Sequence, residues 1–346
     1  MTGPEAFCRS ALPEVSRTFA LNIPVLPSPL DLVVTVAYLL CRIADTLEDE
    51  AQGQLSERAE LFRTLGELTA LKPGWQSRAD DFALRSAGAL RASAPSAEVQ
   101  LIQGTRTVLE AMAELPEWTH KHIEGCLREM TAGMAEVMAE LGGVAPRGLP
   151  ELKDTLRYCY YVAGTVGVML TGLFADGFES VGPLASELRP RAPAFGRALQ
   201  LTNILKDIRE DLDRGSCWLP RSMMAEHGLS PETLLDPQRR QQAVELLDAL
   251  VGVARRECDV AFQYALLLPV SEAGLRLFCL WPLFFALRTL ALLNHNPAVF
   301  DPTPVKIDRE TVMRIMVLTR ESVTDDEALR ALYAECARGL PEALPA

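Results

Sequence analysis

Two five-residue stretches, DTLED at 45–49 and DIRED at 207–211, share the pattern Asp-x-x-Glu-Asp. On a helix, positions i, i+3 and i+4 fall on one face, so Asp45, Glu48 and Asp49 project together, as do Asp207, Glu210 and Asp211. Carboxylates crowded on one face repel unless a cation neutralises them, and hard divalent cations take oxygen donors of this kind. Magnesium is the natural candidate, because it dehydrates reluctantly and binds through a few carboxylates together with substrate phosphates. Either triplet alone also reads as a solvated helix face. The context argues otherwise: VVTVAYLLCRIADTLED (33–49) and ALQLTNILKDIRED (198–211) put the carboxylates at the ends of strongly apolar stretches. Two matching clusters predict facing walls of one cavity that holds a diphosphate with its metal ions. The metal would neutralise charge as the diphosphate departs. Basic residues should then stand nearby, and Arg17, Arg42, Lys206 and Arg209 do so in the sequence.

The remainder of such a cavity should be apolar and aromatic. Departure of diphosphate from an allylic carbon leaves a carbocation that water would quench, and aromatic faces stabilise cations without attacking them. Phe19, Tyr38, Tyr158, Tyr161, Phe278 and Phe285 are the candidate linings. Taken singly, each reads first as an ordinary core aromatic.

The elements that must position these groups are helices. Apolar residues recur at three- and four-residue spacing, and sustained alternation of β-branched residues is rare. Helices are expected near 4–20, 30–50, 55–70, 78–93, 97–114, 118–141, 150–175, 183–213, 236–267, 271–294, 308–318 and 323–340. Pro27, Ser28 and Pro29 precede the second, Gly142 and Gly143 follow the sixth, and Pro150 opens the seventh. No linker rich in Gly, Ser or Pro and no tandem repeat divides the chain, so a single all-α domain over 1–346 is expected.

With 49% hydrophobic residues the chain can bury a large core, and a net charge of −12 without a basic stripe argues against nucleic acid. The eight cysteines are scattered singly, with no Cys-x-x-Cys pair, and read as reduced core thiols. The stretch LRLFCLWPLFFALRTLALL (275–293) is long enough to span a bilayer, but Arg276, Pro282 and Arg288 favour a buried helix. The N-terminal sequence has no basic-then-apolar leader and the C-terminal sequence no apolar span. A cytoplasmic protein is expected, with peripheral contact to the inner face of the membrane as an option.

Five ordered blocks resemble the squalene and phytoene synthases: SRTFALNI (16–23), YLLCRIADTLEDE (38–50), YCYYVAGTVGVML (158–170), LQLTNILKDIREDLDRG (199–215) and FCLWPLFFALRTLALLNHNPAVFDPTPVKI (278–307). The form YCxYVAG and the tail through Phe278, Cys279, Asn294, Val299 and Phe300 are most similar to the squalene-synthase branch. The resemblance implies the isoprenoid-synthase helical fold with a central cavity. It further implies head-to-head condensation of two farnesyl diphosphates to presqualene diphosphate, followed by NADPH-dependent reduction to squalene. Carried over residue by residue, Asp45, Glu48, Asp49, Asp207, Glu210 and Asp211 would bind Mg2+ and diphosphate. Ser16, Arg17, Phe19, Tyr38, Arg42, Asn203 and Lys206 would contact substrate, and Val162, Val166, Leu170 and Gln200 would line the farnesyl cavity. Tyr158 corresponds to the tyrosine of the first half-reaction, Phe278 to an aromatic of the second, and Lys306 to a cofactor contact. A monomer is expected.

Two positions depart from the family pattern. Lys206 stands where arginine is expected and lacks its planar fork, and Asp308 follows Lys306 where the eukaryotic members carry a basic residue. The run GTVGVMLTG (164–172) is not a dinucleotide fingerprint, since it lies within helical sequence with no strand before it. Its small residues suit close helix packing or space for a prenyl chain. The segment DLDRGSCWLP (211–220) reads either as a lid over the site or as a plain connection. Two other readings stay open: a sister enzyme making hydroxysqualene, dehydrosqualene or phytoene without hydride transfer, and a non-catalytic helical isoprenoid-binding or assembly module.

Overall fold

In the computed structural model the described residues, 3–141 and 148–341, form helices joined by short turns. Among them there is no strand; isolated bridges tie Ala51 to Leu90 and Leu149 to Pro220. The all-α expectation is borne out. Packing separates two compact units, Met1–Gly142 with Val168–Gly182, and Gly143–Gly167 with Pro183–Ala346.

The first unit contains α1 (Pro4–Val15), α2 (Arg17–Asn22), α3 (Leu30–Glu50), α4 (Leu55–Leu68), α5 (Trp75–Ala89), α6 (Ser96–Gln103), α7 (Thr105–Glu114) and α8 (Glu117–Leu141). Its axis is α3, whose apolar residues are buried on every side from Leu30 to Leu47, as expected of a core helix. Each fully buried Leu, Ile or Val there stabilises the fold by roughly 1.5–3 kcal/mol. Helices α1 and α7 pack on α3, and α4 packs on α8. Two expected helices are interrupted. The 4–20 helix breaks at Ser16, which turns extended and accepts the Phe19 amide as the N-cap of α2, a role that Ser fills well. The 97–114 helix breaks at Gly104, where an added Cβ would meet the Phe7 ring at 2.2 Å. The stop expected at Gly142 and Gly143 lies outside the described residues.

The second unit contains α9 (Leu152–Cys159) and a π turn (Tyr160–Gly164), which leads into α10 (Thr165–Gly177), whose residues from Val168 on belong to the first unit. After these come α11 (Ala185–Leu188), α12 (Ala192–Lys206), α13 (Ile208–Asp213), α14 (Arg221–Glu226), α15 (Arg240–Leu267), α16 (Ala273–Leu293), α17 (Arg309–Ser322) and α18 (Asp326–Cys336). Helix α12 lies against α15, α16 and the π turn. The expected 150–175 helix is thus continuous but locally under-wound by one turn of π geometry, a feature common at functional sites. Small residues allow close approach here: a Cβ on Gly196 would sit 2.0 Å from the Ala163 carbonyl oxygen, and one on Gly167 2.2 Å from that of Ala192. The expected 183–213 helix is broken into α11, α12 and α13. The apolar run at 275–293 falls in α16, a core helix with 78% of its most apolar window buried. All eight cysteines lie among the described residues as buried thiols outside any disulfide.

Candidate active site

The first acidic motif closes α3. Asp45 Oδ1 is buried and accepts no hydrogen bond from any described residue. Burial pushes the Asp45 carboxyl up to about 7; Arg42 opposes this, while Asp49 and Glu98 add to it. Arg42, one turn back, is disfavoured as a cation by burial, but Asp45 and Glu98 outweigh that and hold its charge in place. Tyr38, a further turn back, lies with its ring centroid 4.9 Å from that of Phe19. Burial raises its hydroxyl pKa, and a hydrogen bond with Ser16 works the other way. Ser16, Phe19, Tyr38, Arg42 and Asp45 therefore form one continuous polar and aromatic edge, with Arg17 exposed beside it.

The second motif differs in its backbone. Asp207 ends α12 with φ −104 and ψ 14, then serves as the N-cap of α13, so the shared helical face expected for Asp207, Glu210 and Asp211 is kinked. The Asp211 amide still donates to the Asp207 carbonyl at 2.8 Å, which keeps the two residues one turn apart. Glu210 and Asp211 occupy the first turn of α13, where negative charge complements the helix dipole. Lys206 Nζ lies 2.9 Å from Asp207 Oδ2, supplying the charge if not the fork of an arginine. Burial raises the Asp207 carboxyl despite Lys206. Gln200 and Asn203 stand on α12 two turns and one turn before Asp207, Asn203 exposed and Gln200 half-buried.

Both donor sets fit magnesium by their chemistry: only oxygens, with the leading aspartate of each desolvated. Among the described residues no three His, Cys, Asp or Glu side chains converge to hold an ion alone. Magnesium in general shares its coordination between a few carboxylates and phosphate oxygens.

Tyr158 is 2% exposed and stacks on Trp218, with ring centroids 4.2 Å apart and planes 3° from parallel. Val162, in the π turn, is buried, Val166 half-buried and Leu170 buried, at four-residue intervals along the same helical run. Phe278 is 2% exposed in α16, while Tyr161 and Phe285 are half-buried. The 211–220 segment is a pinned strap: Ser216 N donates to Asp211 O, Thr155 Oγ1 to Trp218 O, and Leu149 N to Leu219 O.

Lys306 is exposed in the irregular stretch that precedes α17. Asp308 is the N-cap of α17, accepting the Thr311 amide at 2.7 Å, and this holds its carboxyl below the usual range. Exposed Asp301 and Glu310 are close in sequence as well, against exposed Lys306 and Arg309, so the segment carries mixed charge with acidic residues on both sides of Lys306.

Three residues near these groups escaped the sequence reading. Glu98 on α6 pairs with Arg42. Arg58 on α4 donates to the Glu48 carbonyl at 2.7 Å and lies near the Glu48 and Asp49 charges. Trp218 carries the stack on Tyr158. Only the hydrophobic Trp218 within a polar segment gave any local signal; the other two are ordinary surface-type residues in sequence.

Fold and site define a class: all-helical proteins that end two apolar helices in Asp-x-x-Glu-Asp. The chain belongs to the squalene/phytoene synthase family, whose model matches residues 12–311. It is 27% identical to a squalene synthase of Gibberella zeae over 309 residues, 89% of this chain and 63% of that protein. To the squalene synthase of Homo sapiens it is 27% identical over 311 residues, covering 90% and 68%. The chain thus spans just under two thirds of the first relative's length. The ligand-bound structure of TcSQS superposes with a TM-score of 0.80 at 26% identity, covering 99% of this chain and 94% of that one. A dehydrosqualene synthase shares the fold, with a TM-score of 0.61 at 21% identity, covering 95% and 97%.

Proposed function

We propose that this chain condenses two farnesyl diphosphates head to head into presqualene diphosphate and carries that intermediate on to squalene. The observation that supports this best is the desolvation of Asp45 and Asp207, each leading an acidic motif at the end of an apolar helix. A desolvated carboxylate is costly to hold charged, and a cation with its phosphate partner relieves the cost. Asp45, Glu48, Asp49, Asp207, Glu210 and Asp211 would hold magnesium, which supplies positive charge to a departing diphosphate. Arg42 and Lys206 would contact phosphate oxygens, with Ser16, Arg17, Tyr38 and Asn203 orienting them. Tyr158 presents an aromatic face and a hydroxyl held rigid by Trp218, suited to cation stabilisation or proton handling after the first ionisation. Phe278, buried in α16, would serve the second.

Reduction to squalene needs a hydride donor. The resemblance to the squalene-synthase branch implies NADPH as that donor. The acidic surroundings of Lys306 favour a second reading, in which the same cation is quenched without hydride to hydroxysqualene or dehydrosqualene. We place the protein in the cytoplasm as a monomer that touches the membrane to unload its apolar product. Mass spectrometry of products from farnesyl diphosphate and magnesium, with and without NADPH, tests the proposal. Squalene only with NADPH supports it, a hydroxylated or dehydrogenated C30 product moves it to the sister reaction, and no C30 product overturns it.

A further inference from the structure

Glu98 lies on α6 in the first unit, 9% exposed, with its carboxylate directed at α3. Its Oε1 accepts from Arg42 Nη2 in a short ion pair, and its Oε2 is 3.3 Å from the Thr46 hydroxyl. Thr46 is fully buried, and its hydroxyl is also 2.9 Å from the Arg42 carbonyl. One carboxylate therefore grips the guanidinium one turn before DTLED and the second residue of DTLED itself. Arg42 Nε, by contrast, is buried and makes no hydrogen bond to any described residue. A guanidinium carries five donors in a rigid plane, so fixing one corner fixes the direction of the rest.

Resting on the function proposed above, we infer that Glu98 is a positioning residue: it aims the Arg42 fork at the substrate diphosphate and fixes the α3 turn that bears Asp45. An acidic group so close to a phosphate-binding cation would weaken a mobile lysine-like contact. Applied to one corner of an arginine, it orients the remaining N–H groups at little loss of charge. A purely structural role, tying α6 to α3, would instead show only in stability.

The test compares Glu98→Gln, Glu98→Asp, Arg42→Gln and the Glu98→Gln/Arg42→Gln double variant for diphosphate release from farnesyl diphosphate with magnesium, alongside thermal midpoints. The expected result is a fall of about tenfold or more in kcat/KM for Glu98→Gln, beyond any change in stability. Glu98→Asp should recover part of it, and Glu98→Gln should add little once Arg42 is gone. Wild-type release with Glu98→Gln unchanged, or with its effect undiminished in the Arg42→Gln background, overturns the inference alone. Absence of release by the wild-type protein overturns the proposed function and this inference with it. Should Glu98→Gln fail to fold, Glu98→Asp set against Arg42→Gln carries the comparison.

Discussion

The Trp218 indole lies flat on the Tyr158 ring, centroids 4.2 Å apart and planes within 3° of parallel. Trp218 lies within the strap that leaves α13, so the chain from Glu210 and Asp211 leads on to the Tyr158 ring. An offset aromatic pair contributes about 0.5–1.5 kcal/mol beyond its buried area. Trp218→Ala should lower stability by about 2–3 kcal/mol. It should also reduce turnover by about tenfold or more, as Tyr158 loses its fixed orientation. Trp218→Phe should retain most of both. Denaturant unfolding and diphosphate release measure the two effects.

Asp45 couples stability and function with opposite signs. Its carboxyl is raised to about 7 by burial, so the folded protein holds the charged form unfavourably at neutral pH. Asp45→Asn removes that charge and should raise the thermal midpoint without magnesium while lowering diphosphate release by about a hundredfold or more. Calorimetry and a release assay on one preparation check both directions.

Two glycines should respond in opposite senses to alanine. Gly196 faces the Ala163 carbonyl, where a Cβ would lie 2.0 Å from its oxygen, and backbone cannot yield as a flexible side chain does. Gly196→Ala should cost about 3 kcal/mol and disturb the π turn beside Tyr158. Gly88, exposed in α5 with nothing near its missing Cβ, should gain about 0.5–1 kcal/mol on the same change. Paired denaturant melts distinguish the two.

These contrasts mark how far the sequence could be read. The all-helical class followed from three- and four-residue apolar spacing, and α3 and α16 stood out because burial on all sides leaves a continuous apolar run. Both carboxylate clusters were visible because a helix places i, i+3 and i+4 together. The kink at Asp207 was not: KDIRED has no Gly or Pro, and the aspartate caps α13 in the backbone while its side chain turns to Lys206. Ser16 was read as a substrate contact, and its capping of α2 went unnoticed within an apolar-periodic segment. Glu98 and Trp218 act through partners 56 and 60 positions away in sequence, a relationship no local pattern encodes.

Arg276 offers a test in the second unit. Its side chain is fully buried in α16 and pairs with Asp326 in the first turn of α18, while Nε and Nη1 find no partner among the described residues. Removing the counter-charge leaves a buried cation uncompensated. Asp326→Ala should destabilise by about 3 kcal/mol, and the double change Arg276→Met/Asp326→Leu should recover most of it. Equilibrium unfolding of the three proteins provides the comparison.

The most direct test of the central claim is diphosphate release from farnesyl diphosphate by the wild-type, Asp45→Asn and Asp207→Asn proteins, with magnesium and with excess chelator. Release by wild type is expected only with magnesium, with a loss of about a hundredfold or more in each variant. Release that survives the chelator, or that either variant sustains at the wild-type rate, would contradict that claim.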